Sequence, residues 1–329
     1  MTDRPAQPAL FDPGPRRIKP AEPRPEDLQL AAALPSQVRL GAMTWSYRGW
    51  IGRVYGQECS EQDLARHGLS AYVQHPLLTL AELDRTYYEP LSAAVYRGYA
   101  EQVPAQFRFL VKAHELCTVQ RFPLHPRYGQ KRGQDNPLYL DAGYAARSVV
   151  EPAAEGLGDK LLAVLWQFSP QDARDPRGFA EQLHGFLRGL PTGCRHAVEL
   201  RTRDLLGPDY AAAIADTGAL HCYNAWTAMP SVLAQARSTP PSARRPLIVR
   251  WLLRPGEKYE DARQRYEPFD RLVAEDLDSR SEIATLVAKA YAHDVESFIL
   301  VDNKAEGSAP ESISRLGHAI ATQLAVARP

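Results

Sequence analysis

The sequence predicts a single eight-stranded parallel β/α barrel of the TIM type, preceded by a disordered proline-rich tail. Three observations predict it. From Val38 onward, short apolar runs rich in β-formers alternate with stretches of helical composition, the pattern of βα units around a parallel sheet. Eight such runs fall within roughly 265 residues, which suits a (β/α)8 barrel. No glycine-rich dinucleotide fingerprint follows the first run, which disfavours a doubly wound open sheet.

The tail comes first. Residues 1–36 contain Pro5, Pro8, Pro13, Pro15, Pro20, Pro23, Pro25 and Pro35 with almost no β-branched residues. Too little apolar surface is available there to offset the entropy of ordering, so the segment is expected to be mobile. The barrel is expected over residues 37–329.

Its strands are expected at Val38–Trp45, Leu77–Asp84, Phe107–Ala113, Leu161–Phe168, His196–Arg201, Ala219–Asn224, Leu247–Leu252 and Ser297–Asp302. Gly41-Ala42-Met43-Thr44 lies inside the first. Ser60 is positioned to cap a helix reaching about Gln74, with Asp63 favourably placed in its first turn. Further helices are expected over Ser92–Gln102, Asp141–Glu155, Pro176–Leu190, Asp209–Asp216, Pro230–Arg237, Ser281–His293 and Pro310–Val326. Two connections are long: His114–Leu140, with Arg121, Arg127, Lys131 and Arg132, and Arg254–Asp278, with Tyr259 and Tyr266. Loops of that length in compact domains are usually functional or flexible.

Composition narrows the function class. Lys plus Arg and Asp plus Glu both number 39, so any anion binding must come from a local patch and not from net charge. Cys59, Cys117, Cys194 and Cys222 include no C-x-x-C pair, which argues against a zinc ribbon or thioredoxin-type motif. Scattered thiols in a chain of this length suit a reducing, cytoplasmic setting. No apolar run is long enough to span a bilayer, and the N-terminus lacks the apolar core of a secretory signal.

In a TIM barrel, polar residues at the C-terminal strand ends are the first candidates for a site. Around the barrel these are Trp45, Ser46 and Tyr47, then Glu82 and Asp84, Lys112 and His114, and Gln167. They continue with Glu199 and Arg201, Asn224 and Trp226, Arg250, and Asp302 and Asn303. Glu82/Asp84 and Glu199/Arg201 have i, i+2 spacing, which turns both members of a pair to the same side of a strand. Glu82 and Glu199 are the candidate acid/base groups, with Lys112 beside them in the catalytic set. Arg201 and Arg250 are candidate anion binders, and Asp84 and Asn303 candidate substrate contacts. Trp45, Tyr47 and Trp50 would form an apolar wall able to stack on a sugar or base. A buried ion-pair network among Glu82, Lys112, Glu199 and Arg250 is the competing structural reading. His114, Glu82, Glu199 and Asp302 have suitable donor atoms for a metal, but no ligand motif such as H-x-H or H-E-x-x-H is present, so no metal is assigned. No cofactor fingerprint is visible and the cofactor stays unknown.

The motifs carry a resemblance. Gly41-Ala42-Met43-Thr44-Trp45-Ser46-Tyr47, followed by Trp50-Ile51-Gly52 and Tyr55, resembles the opening signature of the YecE-like family, domain of unknown function 72. Glu82-Leu83-Asp84-Arg85-Thr86-Tyr87-Tyr88, Val111-Lys112-Ala113-His114, Leu157-Gly158-Asp159-Lys160, Gln167-Phe168-Ser169-Pro170 and Val198-Glu199-Leu200-Arg201 match in order. Asn303-Lys304-Ala305-Glu306-Gly307-Ser308-Ala309-Pro310 is similar to its closing segment. The resemblance covers roughly residues 38–325. It implies a TIM-like barrel and leaves the reaction open. The chain departs from the family at Ala42-Met43-Thr44, where T-S-G is usual, and after Lys112, where a T-H pair is often found.

One motif lies in the tail. Gln7-Pro8-Ala9-Leu10-Phe11 resembles the Q-x-x-L-F pentapeptide with which bacterial DNA-processing proteins dock on the sliding clamp. Leu10 and Phe11 would fill an apolar pocket and Gln7 would bond at its edge. The sequence therefore supports a barrel enzyme of hydrolase or lyase type acting on a phosphorylated, sugar or nucleic-acid-related substrate. The alternative is a non-catalytic nucleic-acid-binding or clamp-associated factor.

Overall fold

In a computed structural model, residues 17–170 and 173–326 are described. Eight parallel strands close into a barrel in sequence order, with β1 hydrogen-bonded to β8. They are β1 Val38–Ala42, β2 Leu80–Leu83, β3 Arg108–Lys112, β4 Leu161–Phe168, β5 His196–Leu200, β6 Leu220–Ala225, β7 Leu247–Trp251 and β8 Ser297–Val301. Each lies within, or one residue beyond, a run read from the sequence. The helices are α1 Pro25–Ala33, α2 Glu61–His67, α3 Leu69–Tyr72, α4 Ala93–Ala100, α5 Ala142–Ala145 and α6 Glu151–Leu157. They continue as α7 Pro176–Arg188, α8 Pro208–Thr217, α9 Val232–Ser238, α10 Tyr259–Tyr266, α11 Leu277–Ala292 and α12 Ala309–Val326. Ser60 caps α2 as expected, its hydroxyl accepting from the Asp63 amide at 3.0 Å. None of the described helices is long and apolar enough to cross a membrane.

Strand alternation sorts the barrel into layers. Leu80, Leu110, Leu165, Ala197, Cys222, Ile248 and Phe298 form one apolar cluster inside. Two residues further along their strands stand Glu82, Lys112, Gln167, Glu199 and Arg250, so the interior turns from apolar to charged toward the C-terminal end. Residues of the opposite parity, such as Val111, Val164, Val249 and Ile299, pack against the helices. Gly41 serves the closure. A Cβ there would lie 1.9 Å from the Leu80 carbonyl oxygen, so any side chain would push β1 off β2.

The expectation of a mobile segment fails for residues 17–36. Residues 17–36 form an ordered arm that crosses the loop after β1 and lays α1 against α12. Ile18 is buried, Pro20 bridges to Tyr55, and the Gly56 amide donates to the Lys19 carbonyl at 2.9 Å. Proline density hid this arm. Pro25 stands at the start of α1, where it is tolerated, with Glu26 and Asp27 favourably placed in the first turn. Asp27 is fully buried, accepting from Arg53 Nη2 at 3.0 Å and from Ser314 Oγ at 3.0 Å. Arg53 Nε also lies 3.0 Å from Glu311, so one guanidinium ties the arm, the first loop and α12. Gln7, Leu10 and Phe11 lie outside the described residues.

Removing one member of a buried ion pair leaves its partner uncompensated. Asp27→Ala and Arg53→Ala are each expected to lower stability by about 3–5 kcal/mol in urea unfolding, whereas Glu26→Ala on the exposed side of α1 changes it little.

Candidate active site

The charged layer is organised by Arg250 on β7. Its Nε and Nη2 donate to the two oxygens of Glu82 on β2, both at 2.9 Å. Nη1 donates to Glu199 on β5 and lies 3.4 Å from Gln167 Oε1 on β4. Arg201, just past β5, takes up the other side of Glu199: its Nε is 2.8 Å from Oε1, and its Nη2 is 2.9 Å from Gln167 Oε1. Two guanidiniums thus balance two carboxylates, and Gln167 accepts from both cations. Arg201 also stacks on Trp226, 4.2 Å from the ring centroid.

Above this layer the mouth opens into a cavity of about 780 Å³. Lys112 donates to Asp84 at 2.8 Å and sits 4.1 Å over the Tyr87 ring. On the β8 side Lys304 lies 2.9 Å from Asp302 and 4.8 Å over Tyr259. Trp45, Tyr47 and Trp226 line the wall, and Tyr88 and Tyr259 stand at the rim, 62% and 45% exposed.

The two buried carboxyls differ in proton affinity. Burial pushes Glu82 up to about 7, against the pull of Arg250 and with Asp84 adding to the rise. Burial acts in the same direction on Glu199, but Arg250 and Arg201 outweigh it and hold that carboxyl below its ordinary value. Asp84 is likewise held low, because the Lys112 ammonium outweighs burial. Burial, with Asp302 nearby, pushes the Tyr47 phenol up to about 12. The difference between Glu82 and Glu199 is one of counter-charge: Glu199 has two guanidiniums and Glu82 shares one.

A family model described as protein of unknown function DUF72 matches residues 39–329. The chain belongs to this family. A DUF72 protein of Enterococcus faecalis V583 is 17% identical, with 88% of this chain and 95% of that one covered at a TM-score of 0.57. A DUF72 protein of Thermotoga maritima MSB8 is 19% identical, with 85% and 98% covered at a TM-score of 0.56. At such identities the likeness carries the fold alone. A search of the curated proteins finds no match.

In this DUF72 chain, the site residues expected from sequence do not all reach the cavity. Glu82, Asp84, Lys112, Arg201, Trp45 and Tyr47 all line the mouth, together with the edge of Arg250. Arg250 is not a free anion binder, since it is 2% exposed and its donors go to Glu82, Glu199 and Gln167. Glu199 is fully buried between two arginines, which suits it to orienting them and not to carrying protons. Trp50 and Asn303 are not on the wall. Trp50 is 1% exposed and its indole N–H donates to Asn303 Oδ1 at 3.1 Å, an oxygen that also accepts from the Ala309 amide at 2.8 Å. That pair pins the start of α12 beneath the first loop.

His114 turns away from the mouth, with Nδ1 2.7 Å from the Tyr144 hydroxyl. Asn224 is fully buried and donates to the Leu200 carbonyl at 2.9 Å. The basic loop pairs within itself. Arg127 meets Glu115 and Tyr128, Arg121 lies 3.1 Å from Asp135, and Arg132 donates to the Gly129 carbonyl at 2.9 Å. Among the described residues, no three His, Cys, Asp or Glu side chains are grouped to hold a metal ion.

Sequence reasoning missed Lys304, Tyr88 and the α2 residues Glu61 and Arg66 as lining groups. Lys304 and Tyr88 lie inside the family-like motifs, two and four residues past the expected strand ends. The α2 residues had no signal, because only the docking of that helix over the rim brings them in.

The elevated proton affinity of Glu82 has a stability consequence. Its folded-state value, about 7, lies above the ordinary 4.5, so across that window the folded protein keeps a proton the unfolded chain has released. The contribution is full below the ordinary value and is lost as pH rises to about 7. The stability advantage of wild type over Glu82→Gln is therefore expected to shrink by about 3 kcal/mol over the window, read by urea unfolding at several pH values. His75 and His221, both pushed to about 4 by burial, act in the opposite sense, so the difference between the two proteins is the readout.

Arg250→Lys is expected to cost nearly as much as Arg250→Met, about 3–5 kcal/mol each, because one ammonium cannot bridge both carboxylates. Recovery of most of that stability by lysine in calorimetry would contradict the bridging role.

Proposed function

We propose that this DUF72 chain is an enzyme acting on a small anionic, ring-bearing substrate at the C-terminal barrel mouth, by hydrolase- or lyase-type proton transfer. The substrate class is a phosphorylated sugar or a related phosphorylated compound. The observation that carries the reading is the lining of the cavity. Six basic side chains (Arg66, Arg85, Lys112, Arg201, Arg250, Lys304) face four acidic ones (Glu61, Glu82, Asp84, Asp302) in a chain whose net charge is zero. Even with Glu199 counted beneath them, positive charge is in excess.

Lys112 and Arg201 are half-committed cations. Lys112 gives one of its donors to Asp84, and Arg201 uses part of its fork on Glu199 and Gln167, so each keeps donors for a ligand oxygen. Trp45, Tyr47 and Trp226 offer ring faces to an apolar side of the substrate. Glu82 lines the same cavity with a proton affinity near neutrality, which is what a general acid or base needs. Both its oxygens accept from Arg250, but a carboxylate has lone pairs beyond those two, and they are available to a proton on the cavity side. Four free cysteines, two of them buried, support a reducing, cytoplasmic setting.

Calorimetric titration with sugar phosphates, nucleoside monophosphates and their neutral counterparts tests this. Phosphorylated ligands are expected to bind in preference to neutral ones, and Lys112→Gln or Arg201→Gln to weaken them about tenfold or more. Glu82→Gln is expected to bind the preferred ligand and fail to turn it over. Equal binding of phosphorylated and neutral compounds would reject the reading.

A further inference from the structure

We propose that a second ligand subsite adjoins the mouth, beyond a ridge formed by Tyr47, Tyr259 and Lys304, and takes a hydroxyl-rich glycosyl unit attached to the anionic portion. The proposal rests on the anion-binding reading of the mouth and extends it. Its first support is continuity. A cavity of about 880 Å³ lies on the far side of the ridge and shares Tyr47, Glu61, Tyr259 and Lys304 with the mouth. A ligand held over Lys112 and Arg201 that grew toward β8 would pass directly into it.

The ridge is held in place. The Lys304 side chain is 6% exposed, with its ammonium 2.9 Å from Asp302 and 5.9 Å from the Phe269 centroid. Tyr47 meets the edge of Phe269 at 5.2 Å. The floor is equally tight: a Cβ on Gly49 would lie 1.9 Å from the Pro268 carbonyl oxygen, so the loops after β1 and β7 are pressed together there. Only Tyr259 projects, at 45% exposed, from the first residue of α10.

The second support is that the cation excess of the mouth ends at the ridge. The mouth has an excess of cations. The adjoining cavity has four acidic side chains, Glu58, Glu61, Glu267 and Asp270, against Arg48, Arg263 and Lys304. With Asp270 also 3.3 Å from Arg271, that lining has no cation excess to hold further phosphates, and a neutral polyol needs none. Carboxylates accept hydrogen bonds from hydroxyls and retain lone pairs even when paired with arginine, as Glu267 is with Arg263 at 3.2 Å. Tyr259, backed by Tyr47 on the ridge, supplies ring surface for the apolar face of a pyranose. Anion on one side and acceptors with aromatics on the other describe a ligand with one phosphorylated end and one neutral, hydroxylated end.

Glucose phosphate and maltose phosphate, titrated calorimetrically into the full chain, are the probes. Maltose phosphate is expected to bind about tenfold tighter than glucose phosphate. Glu267→Ala/Asp270→Ala, a change at two exposed positions, is expected to abolish that gain and leave glucose phosphate affinity unchanged. Equal affinity for the two ligands, or equal loss of both in the double variant, overturns the subsite and leaves the anion reading of the mouth standing. Binding of neither overturns both. A dinucleotide that binds more tightly than maltose phosphate, and loses that advantage in the double variant, assigns the cavity to a nucleic-acid strand and overturns the glycosyl subsite.

Discussion

One guanidinium inside the barrel sets the terms for everything above it. Arg250 is taken out of water, and this is tolerable only because Glu82 and Glu199 approach it from β2 and β5 and Gln167 from β4. The same bonds link strands that are not neighbours in the barrel, so the relative positions of β2, β5 and β7 are specified from within. A well-packed apolar layer of similar volume would hold the barrel as well or better. What the ion network adds is a fixed charge pattern at the floor of a cavity.

That pattern decides what the upper residues can do. Glu199 neutralises Arg250 from one side and orients Arg201 from the other, so Arg201 reaches the cavity already aimed and stacked on Trp226. Glu82, with only a share of one cation, is left able to hold or release a proton near neutrality. Lys112 and Asp84 form one paired group at the ends of β3 and β2, and Lys304 and Asp302 form another just past β8. The long connections then divide their work. The one after β3 binds its own cations internally, while the one after β7 contributes Tyr259 and Phe269. It is held by Glu306, whose Oε1 accepts from the Asp276 amide at 2.7 Å.

The arm solves a different problem. The loop after β1 carries Trp45 and Tyr47 to the mouth, and it is long and aromatic. Asp27 and Arg53 clamp it from outside, Trp50 and Asn303 from beneath. Wall residues therefore sit on a loop held from two sides by buried polar contacts.

Local sequence determined a great deal here. Short apolar runs rich in β-formers, alternating with stretches of helical composition, located all eight strands, because strand character and side-chain direction are local properties of the chain. The i, i+2 pairs Glu82/Asp84 and Glu199/Arg201 were visible for the same reason. Tertiary structure alone decided which of these charges are satisfied. Arg250 looks like an anion binder until the barrel closes and brings two carboxylates onto it from strands 168 and 51 residues away. Trp50 and Asn303 look like ligand contacts until α12 packs over them. Pro-rich residues 17–36 look mobile until a buried aspartate finds an arginine in a later loop. In each case the deciding partner is remote in the chain, and only the closed barrel sets the distance between them.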